Sequence, residues 1–480
     1  MHLSRRHCLA TALAPLVPAA AQPAPPLALG HRRELFVDSF LIEKLSGAEL
    51  RLGSPIDTGS AFAFDRPWEG RFCNYVTVIP DGDLVRLYYR GVPNAGADGR
   101  GDEVYCYAES PAGGTRFSRP TLRLHTVRGH AQNNVILAAT PPLQHNFSPF
   151  LDTRPGVDPA ARYKGIAGTQ KSGLVAFQSP DGIHWTTLRP EPVFRDGAFD
   201  SQNLAFWSAA EQRYVLYYRT FKKINGTGYR WISRAVSRNF VDWEDQGEMD
   251  FGQAPPEHLY TNQTSAYFRA PHLYVSLAAR FLPGRQVLTE AEARLIHVDP
   301  GYFKDCSDAV LLTSRGGTHY QRTFLEAFLR PGLGVENWVS RSNYPALNVI
   351  PAGPRHLAFY VVKNYGQPSI HLERYTLRLD GFASLHAGYA GGEMLTKLFT
   401  YDGSELSANF STSAPGGLRF TLEDPSGAKL AESAELIGDE IDRPVRWQGG
   451  ANLSAWAGKP VRLRVALKDA DLYAIQFRRT

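Results

Sequence analysis

At 480 residues the chain exceeds what one ordinary hydrophobic core organises, so it holds two or three domains or one large repeat architecture. Aromatics make up 12% of it, with 22 Tyr and 26 Phe, and Gly and Pro are plentiful, which suits many short strands joined by turns. A net charge of +5, with no dense Lys/Arg stripe, excludes nucleic acid as an expected partner, and no apolar run is long enough to be a permanent membrane span.

In chain order, Ser4-Arg5-Arg6 precedes the apolar run from Cys8 to Ala20, and small residues continue up to Gln22. A basic start, a short apolar core and small residues at its end make residues 1–22 an export signal peptide. The arginine pair resembles a twin-arginine signal, with an ordinary secretory signal as the alternative. The mature protein is thus expected in a bacterial periplasm or outside the cell. Outside the signal the cysteines are Cys73, Cys106 and Cys306, with no Cys-x-x-Cys spacing to support a zinc site. One disulfide or three buried thiols fit equally.

Four turns of one form then recur: a strand, Ser, a tight Asp/Asn/Gly turn, and an aromatic opening the next strand. They begin at Ser110, Ser179, Ser237 and Ser314, and the clearest reads Ser179-Pro180-Asp181-Gly182-Ile183-His184-Trp185. The spacings match four strands plus loops, the period of propeller blades. Strands are expected at 75–79, 84–89 and 103–108, then near Phe117, for blade one. Blade two takes 147–151, 162–167, 173–178 and Trp185 onward; blade three takes 203–208, 213–219, 230–236 and Trp243 onward. Blade four takes 264–268, 273–278, 309–313 and Tyr320 onward, with a short helix at 288–293 that Thr289 caps through Glu292. A fifth blade is drawn from 344–350, 357–362 and 370–378, six blades being the alternative. The strand at 34–42 is assigned to closing the ring. Residues 33–381 are therefore expected to form a five-bladed β-propeller, and 383–480, with Gly-punctuated alternating strands, a small antiparallel β-sandwich; the fold class is all-β.

The turn at Ser179, with Trp68-Glu69-Gly70, Asp200-Ser201-Gln202-Asn203 and Arg330-Pro331-Gly332, resembles the five-bladed propellers of the glycoside-hydrolase type, the arabinanase and invertase superfamily. The tail Asp469-Ala470-Asp471-Leu472-Tyr473 with Gln476-Phe477 is similar to the sandwich end of uncharacterised bacterial relatives. The resemblance implies carbohydrate chemistry. The invertase Asn-Asp-Pro-Asn-Gly, Arg-Asp-Pro and Glu-Cys motifs are absent, so no catalytic residue carries over by motif.

In a propeller, first strands start and second strands end at one face beside the axis. The polar residues at those positions are Glu69, Asn74, His145, Asn146, Asp200, Asn203, Glu257, His258, Tyr260, Asn262, Arg341 and Asn343, with Arg90, Arg219, Arg280 and Asn364 at second-strand ends. Glycosidic cleavage needs two carboxyl groups. Asp200 is assigned as base or nucleophile, Glu257 as acid and Glu69 as either partner; Glu326 and Asp38 stand in reserve. Arg90, His145, Asn146, Asn203, Arg219, His258, Tyr260, Asn262, Arg280, Arg341 and Asn343 are expected to bind substrate, and Trp68, Trp207, Tyr260 and Trp338 to stack on sugar rings. The expected function is an exported glycoside hydrolase, a monomer with a carbohydrate as its partner. The alternatives are a non-catalytic sugar-binding propeller and a glycoside phosphorylase. No metal-ligand motif and no cofactor motif is present, although a structural calcium at the axis is compatible with this reading.

Overall fold

A computed structural model describes residues 25–96, 99, 101–138 and 144–479. The segment read as an export signal lies outside them. The described chain is almost wholly strand, with four four-stranded sheets and one five-stranded sheet as blades and a further sheet unit built from both chain ends.

Blade one consists of Asn74–Asp81, Leu84–Gly91, Val104–Pro111 and Val135–Leu137, and blade two of Ser148–Leu151, Tyr163–Thr169, Gly173–Ser179 and Thr186–Thr187. Blade three runs through Leu204–Ser208, Arg213–Ile224, Thr227–Ser237 and Trp243–Glu248. Blade four uses His258–Thr261 and Thr264–Tyr267 against Ala270–Leu282, then Cys306–Ser314. Blade five uses Tyr344–Pro345 and Ile350–Pro351 against His356–Lys363, then His371–Arg378. Five blades are thus present. Near Phe117 there is only an isolated bridge, Glu109 to Ser118; the fourth strand of blade one comes later, at Val135–Leu137. The helix Glu290–Leu295 has the expected capping box between Thr289 and Glu292.

The recurring turns lead out of the third strand of a blade. Ser179 Oγ accepts the Gly182 N–H at 2.9 Å, and Asp181 Oδ1 accepts those of Ile183 and His184 at 2.9 and 2.8 Å. Ser237 and Asn239 repeat the pattern toward Phe240, Val241 and Asp242. The closing Trp185 folds onto Phe147, with ring centroids 4.8 Å apart, and Trp243 folds onto Phe240 at 5.6 Å. Each turn therefore pins an aromatic into the interior of its blade.

The ring closes with a different strand from the one expected. Ile56–Ala63 pairs with His371–Arg378 and is the outermost strand of blade five, so the blade combines chain segments more than 300 residues apart. The apolar stretch that begins at Glu34 does not close the ring. Arg33–Leu35 pairs with Gln476, Ile475 and Ala474 in the terminal sheet, and Leu35 and Val37 pack with Phe359, Leu377 and Ala474 between the two units.

The terminal unit takes its strands from both ends. Ile42–Ser46 pairs with Gly392–Thr396, and Glu49–Leu52 with Ala383–Ala387. Two long strands, Glu405–Glu423 and Arg462–Arg478, pair along their lengths with a register break at Thr412/Gly417 opposite Asp469. There the paired strands bend, and the two halves form the facing layers of the sandwich. Leu406, Phe410 and Ile475 from one half share a core with Phe420, Leu422 and Val465 from the other. All three described cysteines are free and buried.

Candidate active site at the propeller axis

Two tyrosines occupy the mouth of the axis, each placed by a break in strand pairing. The ladder of blade one skips between Asn74 and Thr77, and Tyr75 sits in the gap with φ 53°. The ladder of blade four skips between Leu259 and Thr261, and Tyr260 sits in that gap. Such breaks turn a side chain out of the regular alternation. Left-handed backbone recurs at the inner-strand entry of every blade, at Tyr75, Asn146, Phe199, Gln263 and Arg341. For bulky residues this conformation costs of order 1–3 kcal/mol each, and such strain clusters at functional sites.

One layer deeper the axis is closed. Gln202 Nε2 donates to Thr77 Oγ1 at 2.8 Å and reaches Ser148 Oγ at 3.5 Å, while Gln263 Nε2 donates to Gln202 Oε1 and to the Pro345 carbonyl at 2.8 and 2.9 Å. These residues come from all five blades and tie them together across the axis.

Arginines and one free carboxylate wall the mouth. Arg90 lies over the Tyr75 ring at 4.4 Å and donates to Asn146 Oδ1 at 2.8 Å. Asn146 Nδ2 in turn donates to the Ser201 carbonyl at 3.0 Å, linking blades one to three. The Tyr260 ring receives Arg219 and Arg230 at 5.0 Å each and Arg341 at 5.3 Å. The Tyr260 carbonyl accepts from Arg219 Nη2 and, at 2.7 Å, from Ser201 Oγ. Phe281 packs edge-on and Tyr344 tilted against the Tyr260 ring, with ring centroids 5.5 and 5.2 Å away. Burial holds the Tyr75 and Tyr260 phenols above the ordinary tyrosine range; Tyr75 is pushed further by Tyr260 and both by Asp200, against the arginines. Both therefore remain protonated at neutral pH. Among the described residues neither phenol oxygen, nor the half-buried Asp200 carboxylate, has a hydrogen-bond or ion-pair partner. Asp200 opens onto a cleft of about 660 Å³ that His145, Lys171, Phe199 and Phe221 also line.

The other expected carboxylates are committed elsewhere. Glu69 is fully buried, accepts from Tyr89 Oη at 2.5 Å and forms an ion pair with Arg119 at 2.7 Å. Tyr89 and Arg90 are successive in one strand and point to opposite faces, so Glu69 lies on the face away from Tyr75. Glu257 is gripped by Arg280 at 2.8 Å and Arg322 at 3.0 Å, and Arg280 also binds Asp308. Arg280 precedes Phe281, which faces Tyr260, so Arg280 and Glu257 lie on the opposite side of that strand. Asp38 pairs with Arg315 beneath the terminal sheet. Glu326 is exposed on a loop.

Three expected binding asparagines spend their amides on backbone. Asn203 donates to the Phe199 and Ser201 carbonyls and accepts the Arg219 N–H; Asn262 accepts the Thr264 N–H; Asn343 donates to the Ser307 and Asn337 carbonyls and accepts from Lys363. They fix the entry loops; Asn203 and Asn343 leave little amide for a ligand, whereas Asn262 engages only its oxygen. His258 accepts the Arg230 N–H at 3.3 Å, and burial, Arg230 and Arg219 lower its basicity, so it is neutral at pH 7. His145 lies 2.8 Å from Glu103, whose acidity is strengthened by His145 and Arg90 against the opposing effect of burial. Of the expected stacking residues, only Tyr260 reaches this group. Trp68 donates to Asn134, Trp207 packs on Tyr214, and Trp338 donates to the Gly332 carbonyl.

Tyr75, Glu103 and Arg230 belong to this group although their sequence context does not mark them. Tyr75 adjoins Asn74, but only the ladder break turns it inward. Arg230 reaches the mouth because the hairpin of blade three overruns the face, pairing Phe221 with Arg230; no turn signal sets that overrun.

No family model matches the chain, and no curated protein sequence does. Solved structures resemble it. A protein named glycoside hydrolase aligns over 68% of this chain and 92% of its own, with TM-score 0.48 and 12% identity. A glycosyl hydrolase from Bacteroides ovatus aligns over 72% and 93%, at 0.38 and 13%, and a fructofuranosidase from Schwanniomyces occidentalis over 88% and 98%, at 0.39 and 10%. The blade count rests on this chain's own sheets.

Proposed function

We propose that the protein is a glycoside hydrolase that binds its sugar in the axial mouth and uses Asp200 as the charged group at the scissile bond. The observation that carries this is Asp200 itself. Of the three carboxylates assigned to catalysis it alone is left without a partner among the described residues; it lines the cleft, and its charge is felt by the Tyr75 and Tyr260 phenols. A free carboxylate beside a sugar can take a proton from the attacking water. Tyr75 and Tyr260, held neutral by burial, supply hydrogen-bond donors on the facing side. Glycosidases with a tyrosine in place of one carboxylate are a known exception to the two-acid rule.

A second reading, a sugar-binding propeller without turnover, is favoured by the commitment of Glu69 and Glu257 to arginines. Reducing-end release from a broad panel of glycans separates the two. Hydrolysis requires release by the wild type and a loss of about 10²-fold or more in Asp200→Asn with binding retained. Saturable binding without release by the wild type would establish the binding reading. We further propose export through residues 1–22; exchanging Arg5 and Arg6 for Lys should hold the protein in the cytoplasm if the twin-arginine route carries it.

A further inference from the structure

We infer that the sugar bound at the axis carries an oxyanion, a carboxylate or a phosphate, seated over Tyr260 between Arg219, Arg230 and Arg341. The inference rests on reading the mouth as a sugar site and names the class of sugar it takes.

Of the arginines buried elsewhere among the described residues, Arg33, Arg234 and Arg322 have carboxylate partners, while Arg374 bonds the Thr58 hydroxyl and the Gly113 carbonyl. Arg33 pairs with Asp380, Arg234 with Glu211, Arg322 with Glu257 and Arg119 with Glu69. At the mouth Arg90, Arg219, Arg230 and Arg341 converge, and among the described residues none of them forms an ion pair. Arg219 is only 3% exposed, and its Nη1 has no hydrogen-bond partner; Nε of Arg90 and Nε of Arg230 are likewise unsatisfied. A buried guanidinium without a counter-charge is costly, and that cost is relieved when an anion arrives. Two carboxylates reach this group electrostatically: Asp200, felt by Arg219, and Glu103, felt by Arg90 but already bonded to His145. Burial depresses the basicity of Arg219, an effect that Tyr260 and Asp200 only partly offset. Positive charge is therefore in excess where the sugar would lie.

Geometry selects an oxyanion over a hydroxyl. Three guanidinium groups lie within 5.0–5.3 Å of one aromatic ring, so their positive charge is gathered at one place before a ligand binds. The donor fork of a guanidinium matches the paired oxygens of a carboxylate or phosphate. Sugar hydroxyls would leave the excess charge uncompensated.

Calorimetric titration of the full chain with oligogalacturonate, sialyllactose, neutral galacto-oligosaccharide and inorganic phosphate tests this. An acidic sugar should bind at least about tenfold more tightly than the neutral one, the difference expected of charged hydrogen bonds. Arg341→Ala and Arg230→Ala, at half-buried positions that leave the core intact, should abolish that preference, whereas Asp200→Asn should keep or strengthen it. Saturable phosphate binding that is lost in the same arginine variants, with no preference between the sugars, would assign the oxyanion to free phosphate. Equal binding of acidic and neutral sugars without phosphate binding would overturn the inference. So would no saturable binding of any anion, or a preference that survives both arginine substitutions. Turnover lost in Asp200→Asn without any anion preference would leave the hydrolase reading standing and sink this one.

Discussion

Asp181 is bonded to the backbone N–H groups of two residues and to the Ser179 hydroxyl, and the whole turn hangs on it. Asp181→Ala should destabilise the protein by about 1–3 kcal/mol, measured by urea unfolding, because the two N–H groups lose a charged acceptor. Burial raises its pKa, but the His184 and Ile183 N–H groups outweigh this and hold it at about 2, below the ordinary 3.8. Its electrostatic contribution is therefore present above the ordinary value and lost as pH falls toward 2, so the variant and wild type should converge in strong acid. Glu373 behaves in the opposite sense. Burial, then a hydrogen bond with Asp57 and that residue's charge, push Glu373 up to about 7, against the attraction of Lys363. A carboxyl raised in the folded state contributes most below its unfolded value and least above its folded one. Glu373→Gln should accordingly gain stability relative to wild type as pH rises from about 5 to 8, followed by thermal unfolding across that range. Both residues lie in short local patterns, yet only Asp181 is legible in the sequence. Its partners are two and three residues away, whereas Asp57 meets Glu373 across the ring closure.

The same division holds for whole strands. The recurring Ser turns are built from neighbours in sequence, so the residue order alone is enough to draw the blades and most of their strands. Ring closure depends on pairing between Ile56–Ala63 and His371–Arg378, and the closing strand buries little of itself: its first five residues are exposed, and Ala61 and Phe62 are buried. The stretch after Glu34 is far more apolar and is the stronger strand signal, but its apolar side chains are used between propeller and sandwich. Phe62 packs on Phe64, Tyr89 and Phe117, joining blade five to blade one. Phe62→Ala should cost about 3–5 kcal/mol, seen as a lower denaturation midpoint, and should raise proteolysis near residue 60. The candidate site is legible to a similar degree. Asp200, Arg90, Arg219, Tyr260 and Arg341 come from the strand order, because first-strand starts and second-strand ends meet at one face of any propeller. The pairing of Glu69 and Glu257 with arginines on the other faces of their blades depends on side-chain direction, which a strand boundary uncertain by about two or three residues does not set.

Between the two units runs a buried polar seam. Arg33 bonds Asp380 at 3.1 Å and Asp442 at 2.5 Å, and Tyr267 and Asn409 bond Asp380 at 2.9 Å each. Leu35, Val37 and Phe382 fill the apolar part of the junction. A chain stopped after Gly381 would expose this seam and strip the strands at 27–52 of their partners. It should collect in the insoluble fraction, whereas an internally complete propeller would stay in solution; sedimentation of the two fractions decides between these outcomes.

The pairing of Arg33–Leu35 with residues 474–476 has a consequence for the order in which the molecule is made. A ribosome releases the first strands of the terminal sheet long before the residues at 474–476 that pair with them. All strands of the five blades are available once residue 378 has cleared the exit tunnel, with the strand from 56 to 63 waiting to be received. The strands before it must stay unpaired until their partners within residues 383–478 have emerged. The strands of the propeller thus emerge first, and the sheet that joins residues 27–52 to residues 383–478 can form only after them.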